Sequence, residues 1–111
     1  MSYPTIFSTP GVRAFAEAVD AERQRQLAKW GEQHHHDGTG SLAHIDQADR
    51  VRRRVDQAAA DGTQTWGNIL AEEVAEAFAE SDPARLRAEV VQVAAVCAAW
   101  IADLDSREPA P

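Results

Sequence analysis

WGNILAEEVAEAFAESDPARLRAEVVQVAAVCAAWIADLD, residues 66–105, carries two helical stripes separated by a break. Ile69, Leu70, Val74, Ala77 and Phe78 recur at helical spacing before the break, and Leu86, Val90, Val93 or Ala94, Cys97, Ile101 and Leu104 recur after it. Proline loses nothing at the first position of a helix, where its missing N–H would have no partner, and a polar side chain just before it accepts from the free amides. Ser81-Asp82-Pro83 therefore marks a helix start. Helices over about 66–80 and 83–105, joined by two or three residues, fold back as an antiparallel hairpin.

The same punctuation works outward toward the N-terminus. Ser41 and Asp61-Gly62 frame a helix over about 42–60, with Ile45, Ala48, Val51, Val55 and Ala58 or Ala59 on one face and Arg50, Arg52, Arg53 and Arg54 crowding the others. Thr9-Pro10 and Gly31 frame a first helix over about 10–30, apolar at Val12, Phe15 and Val19. Its second half, Glu22-Arg23-Gln24-Arg25-Gln26, is polar on every face, including the one that should meet a core. Gln33 to Gly40, with three histidines and two glycines, has no period and reads as a loop. The tail 106–111 holds two prolines and should be loose. Alternating β-branched or aromatic runs are absent, so the class is all-α, a four-helix bundle-like single domain over 1–111.

Composition bounds the function. An apolar fraction of 44% and a charged fraction of 26% are ordinary for a folded domain and argue against disorder. A formal net charge of −7 repels nucleic-acid backbones and anionic lipid. The lone Cys97 cannot form an internal disulfide, Met1 to Ile6 has neither a basic nor an apolar leader region, and the apolar run from Val90 to Ile101 is too short to span a bilayer. The expectation is a cytoplasmic protein that engages neither membrane nor nucleic acid.

Acids interrupt the stripes of the hairpin. Glu73 and Glu76 lie one turn apart, with Glu72 four residues from Glu76, and Glu89 and Gln92 repeat the three-residue spacing on the next helix. Glu76 stands five or six positions before Ser81-Asp82 and Glu89 seven or eight after it, so a short turn brings the pairs to one level. Three carboxylates and an amide oxygen converging there repel one another unless a cation neutralises them, and an all-oxygen set suits Mg²⁺ or Mn²⁺. The competing reading makes these acids solvated helix faces partnered by Arg85 and Arg87.

The order EExxE, a dozen residues, then ExxQ resembles the EExxE and ExxD signature of the MazG-like all-α nucleoside triphosphate pyrophosphohydrolases. The residues that carry the likeness are Glu72-Glu73-Val74-Ala75-Glu76 and Glu89-Val90-Val91-Gln92. Upstream, Glu22 to His34 is similar to the first-helix segment of small phage and actinobacterial MazG-like proteins. The resemblance implies a hydrolase that uses Mg²⁺ or Mn²⁺, held by Glu73, Glu76, Glu89 and Gln92, to split a nucleoside triphosphate into a monophosphate and pyrophosphate. Gln92 departs from the pattern, offering a neutral oxygen where the family has a carboxylate, and so implies a weaker hold or fewer ions. Glu72 is the spare acid and the candidate to orient the attacking water. The alternative is a non-catalytic helical module that binds a nucleotide or a protein and keeps a degenerate metal site.

A nucleotide site also gives a reason for the polar break in the first helix. Glu22, Gln26 and Trp30 lie at four-residue spacing on one face. Trp30 either stacks on a base, with Glu22 or Gln26 reading its edge, or closes a helix end as a core aromatic. Lys29 and Arg23 are candidates for phosphate, and His34 or His36 for substrate contact. Adjacent loop histidines do not point at one centre, and Glu32-Gln33-His34-His35 supplies one ExxH pair where a di-iron bundle needs two. No P-loop, GxSxG or HExxH occurs. The fourth helix is apolar around nearly its whole circumference, which calls for a partner copy, and the resemblance likewise implies a homodimer or a dimer of dimers.

Overall fold

The computed structural model describes residues 7–107. Within them the chain forms α1 (Val12–Trp30), α2 (Leu42–Asp61), α3 (Trp66–Ala79) and α4 (Pro83–Ser106), and no strand. The leader reading of Met1 to Ile6 and most of the tail expected to be loose lie outside the described residues.

Local chemistry sets most helix ends. The Ser41 and Thr65 hydroxyls accept from the N–H groups of His44 and Asn68, each at 3.1 Å, satisfying amides that the first turn leaves free. Asp82 does the same for α4, its Oδ2 accepting from Arg85 N–H at 3.0 Å with Pro83 as the first helical residue. The start of α1 differs from the sequence expectation. Thr9-Pro10 is a turn, with Val12 N–H donating to the Thr9 carbonyl at 3.2 Å, and the helix begins after Gly11 at φ +84°. A side chain on Gly11 would be strained at that angle and would lie 2.8 Å from the Ala102 Cβ, so the turn delays the helix by two residues.

The described residues fall into two compact units, one formed by 7–35 with 98–107, the other by His36 to Cys97. In the first, α1 buries none of its residues. Its polar half is satisfied along the helix itself: Arg23 donates to Gln26 at 2.7 Å, Gln24 to Asp20 at 3.0 Å, and Arg25 pairs with Glu22.

The second unit holds the core. Ala48, Val51 and Val55 of α2 pack against Ala75 of α3, with Ala79 beside them. Only alanine and valine are buried among the described residues, so these helices approach through small side chains. The end of the histidine loop is fastened to the corner between α3 and α4. Gly40 N–H donates to the Phe78 carbonyl at 2.8 Å and the Thr39 hydroxyl to the Glu80 carbonyl at 2.6 Å. At φ +85°, with Ser81 Cβ 2.6 Å from where its own Cβ would be, position 40 admits only glycine.

Apolar side chains remain uncovered. Val90 and Val91 of α4 are 52% and 53% exposed, Phe78 is 51% and Leu42 is 80%. Of α4 only Ala98 is buried. Cys97 is free and half-buried. No described helix is long and apolar enough to cross a membrane.

Candidate metal centre

The three residues between α3 and α4 turn the chain back so that Glu89 meets Glu73 and Glu76. One carboxylate oxygen from each lies within 4.8 Å of the others, and all three residues are half-buried. The Oε2 atoms of Glu73 and Glu89 are buried without a hydrogen-bond partner. A buried carboxylate oxygen left unpaired costs free energy, and here each faces other acids.

The electrostatics follow from that packing. Burial pushes the Glu73 carboxyl above the usual carboxylate range, and Glu76, Glu89 and Glu72 push it further. Glu72 is raised as well, first by burial, then by Glu76 and Asp56, with a hydrogen bond to Glu76 adding to the effect and Arg52 opposing it. The cation is Arg52 of α2, whose Nη2 lies 3.6 Å from Glu76 Oε1 while its Nη1 lies 3.5 Å from Asp49 Oδ1. Arg85 and Arg87 are exposed, and among the described residues neither side chain pairs with the cluster. The pairing with Arg85 and Arg87 that the solvated-face reading expects is not seen among the described residues.

Arg52 is the residue the sequence did not single out. Its signal was present in the arginine run on α2, but which of Arg50, Arg52, Arg53 and Arg54 faces α3 depends on how Val51 and Val55 set the rotation of the helix. Gln92, one turn past Glu89, is exposed.

The residues expected to meet substrate belong to the first unit. Glu22 is ion-paired with Arg25, and Gln26 is half-buried and accepts from Arg23. Trp30 is 57% exposed with Lys29 Nζ 4.6 Å from its ring centroid, so it is not a core aromatic here. His34 is exposed, 3.5 Å from Glu32.

The arrangement can hold a hard divalent ion. Carboxylate oxygens at these separations are the donors Mg²⁺ and Mn²⁺ take, and the orphaned Oε2 atoms are those an ion would satisfy. Compared with known proteins, the chain matches no family model, and neither a curated protein nor a solved structure shows significant similarity to it.

Proposed function

We propose that the chain is a Mg²⁺- or Mn²⁺-dependent nucleoside triphosphate pyrophosphohydrolase of the MazG-like kind. The observation that carries this reading is the convergence of Glu73, Glu76 and Glu89 with two of their oxygens buried and unpartnered. Glu73, Glu76 and Glu89 would hold the metal, with Gln92 as a neutral fourth donor. A bound divalent ion neutralises the polyphosphate and lowers the pKa of water. In the reaction, water adds to the α phosphorus, the bond from that phosphorus to the bridging oxygen breaks, and pyrophosphate leaves with the electron pair. Glu72, raised by burial and by Glu76, is suited to orient the water and take its proton. The resemblance assigns Glu22, Gln26, Lys29, Trp30 and His34 to the substrate, and of these Trp30 has an exposed ring of the kind that stacks on a base.

The assembly proposed with this activity is a homodimer or a dimer of dimers. A core of alanine and valine beside half-exposed Val90, Val91 and Phe78 supports it, since a second copy would cover those side chains. Light scattering of the active species is expected to give at least twice the 12.1 kDa chain mass. A monodisperse 12.1 kDa species that retains activity contradicts it.

The activity is tested by incubating the protein with a panel of nucleoside triphosphates and Mg²⁺ or Mn²⁺ and resolving the products. Pyrophosphate and monophosphate that form only with metal support the enzyme. A thermal shift with nucleotide and no product across the panel supports the second reading, a binding module with a degenerate site, which the neutral Gln92 favours.

A further inference from the structure

We propose that the outer face of α2 binds a short oligophosphate anion through Arg50, Arg53 and Arg54. The proposal is independent of the metal reading. The sequence places four of the chain's eleven cationic side chains within residues 50–54, on a protein whose net charge is −7. Their circumstances differ. Arg52 is engaged by Asp49 and Glu76. Among the described residues Arg50 hydrogen-bonds only a neutral acceptor, Gln47 Oε1, at 3.1 and 3.3 Å. Arg53 and Arg54 have neither an ion pair nor a hydrogen bond among the described residues.

The unengaged arginines share one place. Gln47, Arg50, Arg53 and Arg54 line an open groove of about 590 Å³. The neighbouring groove, which Arg53 shares with Asp49, Arg52 and Asp56, is about 210 Å³ and carries its own carboxylates, whereas the described residues lining the Gln47 side carry none, so an anion is favoured there. At a helical rise of about 1.5 Å per residue, Arg50 to Arg54 spans roughly 6 Å along the axis, which concentrates three guanidinium forks in about one turn. Each fork donates two parallel N–H groups to neighbouring oxygens of phosphate or carboxylate.

Size selects between anions. A pyrophosphate or triphosphate places several charges within that one turn. A nucleic acid or an extended acidic peptide with the same charge runs beyond the patch over a protein whose net charge is −7, where repulsion acts over a screening length of roughly 8 Å at physiological salt. The ligand chemistry is therefore a compact oligophosphate, whether inorganic or the phosphate tail of a nucleotide.

The test is calorimetric titration of the full chain with inorganic triphosphate in EDTA-containing buffer at moderate salt. Saturable binding is expected, weakened by about tenfold or more when Arg50, Arg53 and Arg54 are all changed to glutamine, and by less when they are changed to lysine, which keeps charge and loses the fork. Glu73→Gln should leave this affinity unchanged, which separates the result from the fate of the metal site. A parallel titration with a nucleoside triphosphate identifies the source: equal affinity assigns the ligand as phosphate alone, tighter binding as the nucleotide. Absence of binding at millimolar triphosphate overturns the proposal, as does equal binding by the glutamine variant. Tighter binding of hexaglutamate or a short single-stranded DNA also overturns it, by making the face a protein or nucleic-acid dock. Should the triple variant lose helical circular dichroism, the single substitution Arg53→Gln replaces it, with a loss of about threefold expected and no loss counting against the proposal.

Discussion

α1 and α3 each carry three acids, and the two helices treat them in opposite ways. On α1, Glu17, Asp20 and Glu22 each find a donor one turn away, in Arg13, Gln24 and Arg25, and all remain at the surface. On α3, Glu72, Glu73 and Glu76 are half-buried and meet mainly one another and Glu89, with one arginine from α2 among them. An acid satisfied inside its own helix needs nothing more and says little about function. An acid packed against other acids repels its neighbours and is raised in pKa, as Glu72 and Glu73 are, and that asymmetry is what motivates the proposed metal site.

Parallel substitutions on the two helices test the contrast. Glu73→Ala and Glu89→Ala should each lower pyrophosphohydrolase turnover by about 10²-fold or more with helical circular dichroism intact, by analogy with lost electrostatic stabilisation of a transition state. Glu17→Ala on α1 should leave the rate within about twofold. Near wild-type rates in both cluster variants would break the comparison. Gln92→Asp, which adds a charge one turn beyond Glu89, should lower the Mg²⁺ midpoint by up to about tenfold. An unchanged midpoint would mean that Gln92 does not face the ion.

Stability without metal should move the other way from activity. Glu73→Gln removes one of the opposed charges and should raise the unfolding free energy in EDTA by about 1 kcal/mol, whereas Glu17→Gln should stay within about 0.5 kcal/mol. The pH dependence fixes the sign. Because the folded-state pKa values of Glu72 and Glu73 lie above the unfolded value, the folded chain holds more protons between the two. Stability from these groups is therefore fullest below the unfolded carboxylate pKa and is lost as pH rises through the raised folded values. Chemical denaturation across that window should show wild type losing stability relative to Glu73→Gln as pH rises. A difference that is flat or of opposite slope would contradict the raised pKa.

Much of this was legible in the chain because the signals are local. Ser41, Thr65 and Asp82-Pro83 announce helix starts through the amides they cap, Gly31 and Gly62 announce ends, and each does so in the structure. The meeting of Glu73, Glu76 and Glu89 was legible because a three-residue turn leaves so little freedom that counting positions from Ser81 suffices. Three features were not. The start of α1 depends on Gly11 passing close to Ala102, ninety-one residues away in sequence, which Thr9-Pro10 does not encode. The fastening of Thr39 and Gly40 to the corner at Phe78–Ser81 is likewise a contact across the fold from a loop without periodicity. The place of Arg52 depends on helix rotation: Arg53, one residue on, is turned away by about 100°, and the α2–α3 packing decides which of the two reaches Glu76.

That rotation gives the smallest effect. Arg52 pairs with Glu76, and on the proposed metal reading it would compete with the divalent ion there, so Arg52→Gln should tighten metal binding by about threefold, as expected for a half-exposed ion pair. Arg53→Gln should leave the metal midpoint unmoved. Weaker metal binding in Arg52→Gln would instead mean that Arg52 holds Glu76 in place.

The central claim is that Glu73, Glu76 and Glu89 bind a divalent cation, and the most direct measurement is a Mn²⁺ titration followed by the electron paramagnetic resonance of the free ion. The account predicts that wild type removes free Mn²⁺ from solution saturably, that Mg²⁺ competes, and that Glu73→Gln and Glu89→Gln each lose most of that capacity while Glu17→Gln keeps it. Equal Mn²⁺ uptake by wild type, Glu73→Gln and Glu89→Gln, or none by any of them, would contradict it.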